Sequence, residues 1–174
     1  MRKALLVPIV AVLFVAATSL TALAAVTVKS LPTASFSGNT VTLTGGNFSG
    51  LGSTPADANV TVTGLATYTC TNQGGNASPG QNPVPAQGSS GPVALGNADH
   101  NGRGTISGIT ASVTAPPTPT AQQVGCGGKG SGNWTVTLNT LTATAAQLVI
   151  TQDTTVVFCR NYTLGGPATG TPCP

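Results

Sequence analysis

The chain has 174 residues, and only 5% of them are charged, against about 25% in an average globular protein. After residue 24 only four Lys and Arg residues occur, and they are scattered, so they cannot form the basic face that nucleic acid or an anionic membrane requires. Disorder is also disfavoured, because 40% of the residues are apolar and Gly plus Pro amount to 36 of 174.

The N-terminus is typical of a secretory signal peptide. A basic start at Arg2 and Lys3 precedes an apolar run over residues 4–15, which is too short to span a bilayer comfortably. Small residues ending at Ala24 suit signal peptidase, so cleavage is expected between Ala24 and Ala25. The alternative is a retained N-terminal anchor. We expect a signal peptide over residues 1–24 and a secreted protein, either free outside the cell or associated with its surface.

The remaining 150 residues, 25–174, suit a single domain. Apolar and polar residues alternate there with a period of two, which predicts half-buried strands. The Gly64 position is expected to hold a bulge or a close strand crossing, and Gly108 a bulge that brings Ile106 and Ile109 into phase. Residues 152–154 should turn the last two strands into a hairpin. In chain order, the clearest predicted strands are Thr40–Thr44, 60–70, 105–114, 134–138, 141–151 and 156–160.

The fold class predicted from this pattern is all-β. No window shows helical periodicity, and the 29 Thr residues fit a pleated surface better than a helix. Seven to nine short strands predict an immunoglobulin-like two-sheet sandwich, with a jelly roll as the alternative. A β-solenoid is disfavoured because no fixed-period repeat occurs.

Two segments are predicted to be long loops. Residues 72–92 contain Gly-Gly-Asn, Pro-Gly-Gln-Asn-Pro and Gly-Ser-Ser-Gly-Pro, and residues 115–132 run from a proline cluster to glycines around Cys126. Loops of this length are either functional or disordered, and both alternatives stay open.

Several stretches resemble segments of secreted bacterial proteins of unknown function, chiefly from high-GC Gram-positive lineages. The stretches are Thr-Cys-Thr-Asn-Gln-Gly-Gly-Asn at 69–76, Pro-Gly-Gln-Asn-Pro at 79–83, Leu-Thr-Gly-Gly at 43–46, Gly-Cys at 125–126 and Asn-Trp-Thr at 133–135. The resemblance covers most of the mature chain. It implies an exported, β-rich domain and supplies no activity.

Four cysteines in an exported chain predict two disulfides, for which three pairings exist. We predict Cys70–Cys126 and Cys159–Cys173. The first pair is contained in the resemblance, and it would tie the end of a long strand to the glycine-rich loop. The second would hold the C-terminal tail on the last strand.

Side chains for acid–base chemistry are few. The mature chain has Asp57, Asp99 and Asp153, no glutamate, and His100 as its sole histidine, which leaves no paired carboxylates and no evident triad. Residues 97–102 echo the ligand spacing of a calcium loop, but Gly108 stands where the bidentate acid belongs, so we interpret the segment as a turn. We therefore expect no enzyme, no cofactor and no metal.

Two contact functions remain as hypotheses. The first is a secreted structural or adhesive domain, whose partner would be another copy of itself. The second is a carbohydrate-binding module for a neutral cell-surface polysaccharide. For glycan contact, Tyr162 is predicted to be the better exposed aromatic, whereas Trp134 is in phase with Val136 and Leu138 and is expected to lie in the core.

Overall fold

A computed structural model of the chain describes residues 26–52, 54–95, 102–127 and 131–174. The predicted signal peptide, with its cleavage site at Ala24 and Ala25, lies outside the described residues. So do Asp99 and His100.

The described residues form strands and one 3-10 turn, with no α-helix among them, so the all-β prediction is confirmed. The strands are β1 (Thr27–Ser30), β2 (Thr33–Ser37), β3 (Thr40–Thr44), β4 (Gly46–Ser49), β5 (Ala56–Thr71), β6 (Ala77–Pro79), β7 (Val84–Ala94), β8 (Gly104–Ile106), β9 (Ile109–Ser112), β10 (Thr135–Gln152), β11 (Thr155–Thr163) and β12 (Thr171–Pro172), and the 3-10 turn is Ser131–Asn133.

The larger layer of the fold is built on β5 and β10. These two strands are antiparallel and pair along their whole length. β11 and then β12 continue the sheet beyond β10, while β6 and β7 pair with the other edge of β5.

The second layer consists of two three-stranded sheets, β1-β4-β8 and β2-β3-β9. The same three chain segments supply both sheets, because β2 follows β1, β4 follows β3 and β9 follows β8 within a few residues. Gly45, with a φ of 80°, lets the middle segment bend between β3 and β4.

The core lies between the layers. Val41 and Leu43 of β3 point into it from one side, and Val60 of β5 and Leu148 of β10 from the other, all fully buried. The Phe48 and Phe158 rings meet edge to face across the layers, with centroids 5.0 Å apart. The fold is therefore an all-β sandwich.

The twelve strands form eight runs, because β1–β2, β3–β4, β6–β7 and β8–β9 each follow one segment of the chain. The last run, β12, has two residues and pairs beside β11, and the seven others equal the strand number of a constant-type immunoglobulin domain. In the constant-type immunoglobulin order, however, the fourth strand extends the sheet of the first, second and fifth strands. Here the fourth run, β6–β7, pairs with β5 of the other sheet. The immunoglobulin-like topology stays a prediction.

The segment 72–92 is a correction to the predicted loops, because it contains β6 and most of β7. Two of its glycines are suited to this pairing. A side chain at Gly88 would collide with the carbonyl oxygen of Ser112, and Gly91, with a φ of 70°, lies where β7 departs from regular pairing. From composition alone, a segment rich in glycine and proline is predicted to be irregular. By contrast, residues 115–126 form no strand. The residue before them, Thr114, makes an isolated bridge to Gln87.

The predicted single strand over 105–114 is likewise two strands in two sheets. β8 and β9 separate at Ser107 and Gly108, so that Ile106 and Ile109 are both buried. At Gly64 the backbones of the paired strands β5 and β10 approach closely, because a side chain there would collide with the carbonyl oxygen of Thr142. The register shift falls in the partner strand, between Ala143 and Ala145 of β10.

Candidate contact surface

The candidate site is the outer face of the larger layer, which we define as the side of β7, β5, β10 and β11 that points away from the core. Side chains alternate along a strand, so the buried positions of β5 at 60, 62 and 66 leave the intervening threonines on this outer face. The register with β10 then places threonine opposite threonine in three successive pairs: Thr71–Thr135, Thr69–Thr137 and Thr67–Thr140.

The outer face is almost without charge. Among its described strand residues, Asp57 at one end of β5 is the single ionisable side chain. Arg160 of β11 pairs with Leu148, which points into the core, and its guanidinium donates a hydrogen bond of 2.7 Å to the carbonyl oxygen of Gly170 in the tail. The outer face is therefore covered by hydroxyl, amide and methyl groups. The Thr67 and Thr140 hydroxyls lie 2.6 Å apart and form one of its cross-strand hydrogen bonds.

A recess of about 230 Å³ opens on this face between β5, β10 and β11. Two rows of side chains surround it. Thr61, Gln147 and Asn161 form one row across the three strands, and Thr63, Ala145 and Thr163 form the next.

The recess walls are uncharged and mostly apolar, with hydroxyl and amide groups among them. The Gln147 amide donates a hydrogen bond of 2.9 Å from Nε2 to Oδ1 of Asn161. That bond leaves the Gln147 carbonyl oxygen as an acceptor and the Asn161 NH2 group as a donor, and both residues line the recess. Sequence reasoning missed these two residues. No short-range pattern in the sequence signals them, because only the register of β10 and β11 brings them together.

Tyr162 is a correction, because it is not an exposed aromatic. Its side chain is 1% exposed, and its hydroxyl donates a 3.4 Å hydrogen bond to the carbonyl oxygen of Pro32. It pairs with Ala146, which faces the core, so the alternation of β11 points its ring inward. Burial raises the pKa of Tyr162 to about 12, although nearby Arg160 acts in the opposite direction. Tyr162 therefore cannot stack on a glycan.

Trp134 is half-buried against a second apolar cluster. The segment 121–126 covers this cluster, in which Val124 is fully buried and Tyr68 is 3% exposed. Trp134 thus packs against this cluster from the side that its phase with Val136 predicts, but it is not a fully buried core residue. Leu138 in the same phase is 41% exposed and does not belong to this cluster.

Both disulfides form between the predicted partners. Cys70–Cys126 ties the end of β5 to the covering segment, and Cys159–Cys173 ties β11 to the C-terminal tail. No cysteine is free. The first bridge belongs to the second apolar cluster, and the second lies at the margin of the outer face beside Gln147.

Two findings concern other kinds of site. Within residues 26–52, 54–95, 102–127 and 131–174, no three side chains of His, Cys, Asp or Glu come together as metal ligands. No helix in this part of the chain is long and apolar enough to cross a membrane.

Comparison of the chain with protein-family models, with curated proteins and with solved structures finds no match. The outer face and its recess are accordingly interpreted from their own chemistry.

Proposed function

We propose that the chain is a secreted structural or adhesive β-domain of the cell surface or matrix, which acts by contact through its outer face and without catalysis. The observation that carries this proposal is the sheet face of paired threonines with Asp57 as its one charge. Such a face can approach another neutral surface without the large cost of removing charges from water.

Export is part of the proposal. It rests on the signal-peptide pattern of residues 1–24 and on the two disulfides, since disulfides form and persist in oxidising compartments. The resemblance of 69–76 and 79–83 to segments of secreted bacterial proteins agrees with it.

The partner we infer is either a second copy of the chain or a neutral cell-surface polysaccharide. Nucleic acid and anionic membranes are disfavoured, because the outer face offers no cation for a phosphate group. The face holds no exposed aromatic platform, so a glycan would be bound through hydroxyl and amide groups.

Thr140→Lys tests the proposal, because it places one charge in the middle of the outer face. The matched control is Thr110→Lys on the outward side of β9, since Thr110 and Thr42 form a similar hydroxyl pair at 3.0 Å. The measurements are retention of purified residues 25–174 on wall polysaccharide and light scattering in solution. Thr140→Lys should reduce retention or self-association at least about tenfold, equivalent to ~1.4 kcal/mol, while Thr110→Lys changes neither.

The wild-type interaction should also change little with salt, because the face offers almost no charges to be screened. A monomer that is retained on no polysaccharide, or two variants that behave alike, would contradict the proposal. Turnover of a substrate by the purified chain would contradict it as well.

A further inference from the structure

We propose that the recess around Ala145 is a subsite for one ring of a neutral saccharide, such as a terminal or side-chain hexose of a cell-surface glycan. This inference rests on the proposed function and adds to it a specific ligand class and a specific place on the outer face.

The recess follows from the register of three strands. Ala145 occupies the centre of a row whose flanking members are Thr63 and Thr163, and Gln147 is its neighbour in the next row. A methyl group therefore lies where the surrounding positions carry longer side chains. The next row on the other side lies beyond the register shift between Ala143 and Ala145 and holds Leu65 and Thr142.

The size of the recess suits one sugar ring. Its volume of about 230 Å³ falls below the roughly 300–1,000 Å³ of pockets that hold drug-sized ligands. The recess is open to solvent along the sheet, so a ring at the end or side of a longer glycan can enter while the rest of the polymer lies on the outer face.

The hydrogen-bonding groups suit sugar hydroxyls. The Gln147 and Asn161 amides are joined by their 2.9 Å hydrogen bond, which leaves the Asn161 NH2 group as a donor and the Gln147 carbonyl oxygen as an acceptor. A donor and an acceptor on adjoining side chains can each bind a hydroxyl group. Thr61, Thr63 and Thr163 add hydroxyls that both donate and accept, and the Ala145 methyl offers a small apolar contact for the C–H face of a ring.

Charge selects against other ligands. None of the lining residues turns an ionisable side chain toward the recess, because the Tyr162 phenol points into the core. A phosphorylated, sulfated or carboxylated sugar would find no cation among these lining residues.

Ala145→Leu tests the subsite by filling it. Ala94→Leu is the matched control, since Ala94 is exposed and pairs with Asp57, an outer-face residue of β5 that lies outside the recess. Neutral mono- and oligosaccharides of glucose, galactose, mannose and N-acetylglucosamine are titrated into isotope-labelled residues 25–174. Backbone amide signals of 145–147 and 161–163 should shift with at least one sugar.

Ala145→Leu should weaken that binding at least tenfold, and Gln147→Ala roughly two- to tenfold, as expected for the loss of one hydrogen bond. Ala94→Leu should leave it unchanged, and all three variants should keep the wild-type spectrum elsewhere. If the shifts appear equally in Ala145→Leu, or no neutral sugar shifts these signals, the subsite is overturned. Reduced retention of Thr140→Lys in that event would show that the outer face still acts by contact; failure of both variants would overturn both proposals.

Discussion

Tyr162 illustrates how the closure of one sandwich edge determines the environment of a side chain. The tail after β11 returns along the strand, so that Gly170 lies against the Tyr162 ring, where any larger residue would collide with it. Arg160 is held by the same turn of the tail through its hydrogen bond to the Gly170 carbonyl oxygen. The phenol is consequently enclosed although it lies close to the end of an outer strand.

The raised pKa of Tyr162 predicts a loss of stability in alkali. An unfolded tyrosine ionises near pH 10, whereas the folded Tyr162 keeps its proton to about pH 12. The unfolded state therefore gives up its proton first, so this contribution to the free energy of unfolding is complete below pH 10 and decreases between pH 10 and 12. Urea unfolding at about pH 9 and about pH 11 should show a smaller loss for Tyr162→Phe than for wild type. Equal losses would contradict the prediction.

A second residue-scale feature is the turn between β10 and β11. Asp153 and Thr154 have φ values of 47° and 68°, the left-handed conformation that two-residue hairpin turns require. A β-branched residue is poorly suited to that region, at a cost of roughly 1–2 kcal/mol. Thr154→Gly should therefore raise the free energy of unfolding by about 1 kcal/mol and increase the Tm. Thr155→Gly, inside β11, is the control and should lower both; a lower Tm for Thr154→Gly would refute the argument.

At the scale of elements, β5 and β10 form the frame on which the other strands of the larger layer assemble. Their pairing continues over 16 residues of β5 because small residues stand where the two backbones approach most closely. Gly64 is the clearest case, facing the carbonyl oxygen of Thr142. The frame in turn determines the outer face, since its threonines point outward only in this register.

Gly64→Ala should accordingly disturb the frame. The added methyl would collide with backbone atoms, which cannot rotate away, so we expect a loss of at least about 1–3 kcal/mol in the free energy of unfolding. Gly108→Ala is the matched control, because nothing lies within 4 Å of the position its methyl would take. Chemical denaturation measures both variants. Similar midpoints for the two would show that the close approach at Gly64 is unimportant.

The Cys70–Cys126 bridge joins the frame to the segment 121–126 and should hold it over the second apolar cluster. By loop-closure entropy, a separation of 56 residues stabilises by roughly 4 kcal/mol and the 14 residues of Cys159–Cys173 by roughly 3 kcal/mol. The Cys70→Ala/Cys126→Ala double variant should therefore be destabilised more and should also change the fluorescence of Trp134, the sole tryptophan. The Cys159→Ala/Cys173→Ala variant should leave that fluorescence as in wild type. An unchanged emission in the first variant would contradict the covering role.

At the scale of the whole molecule, the larger layer presents the threonine face and its recess to solvent. The two disulfides restrain the segment 121–126 and the C-terminal tail. This arrangement agrees with a domain that works by contact outside the cell.

Export predicts a defined N-terminus. Intact mass and N-terminal sequencing of the protein recovered outside the producing cell should show a chain that begins at Ala25, because small residues precede it at the positions that signal peptidase reads. Residues 25–174 expressed without the leader serve as the mass standard. A product that starts at Met1 and is extracted only with detergent would refute export and favour the retained anchor.

Strand alternation was readable from single residues. Val41, Leu43 and the even-numbered positions of β5 are buried as their period of two predicts, because the pleat alone sends successive side chains to opposite faces. The turn at 152–154 and the absence of helical pattern depend on equally local preferences. Those local rules suffice for the fold class.

Pairing and closure are not local, and they decide the site. The composition of residues 84–94 predicts irregular chain, yet this segment is a strand because it pairs with β5 and lies near β9. The alternation of β11 likewise does not show whether Tyr162 is covered by the C-terminal tail. The recess exists because the strand register brings Asn161 of β11 beside Gln147 and Ala145 of β10. Such neighbours can be far apart in sequence, so no short-range pattern identifies them.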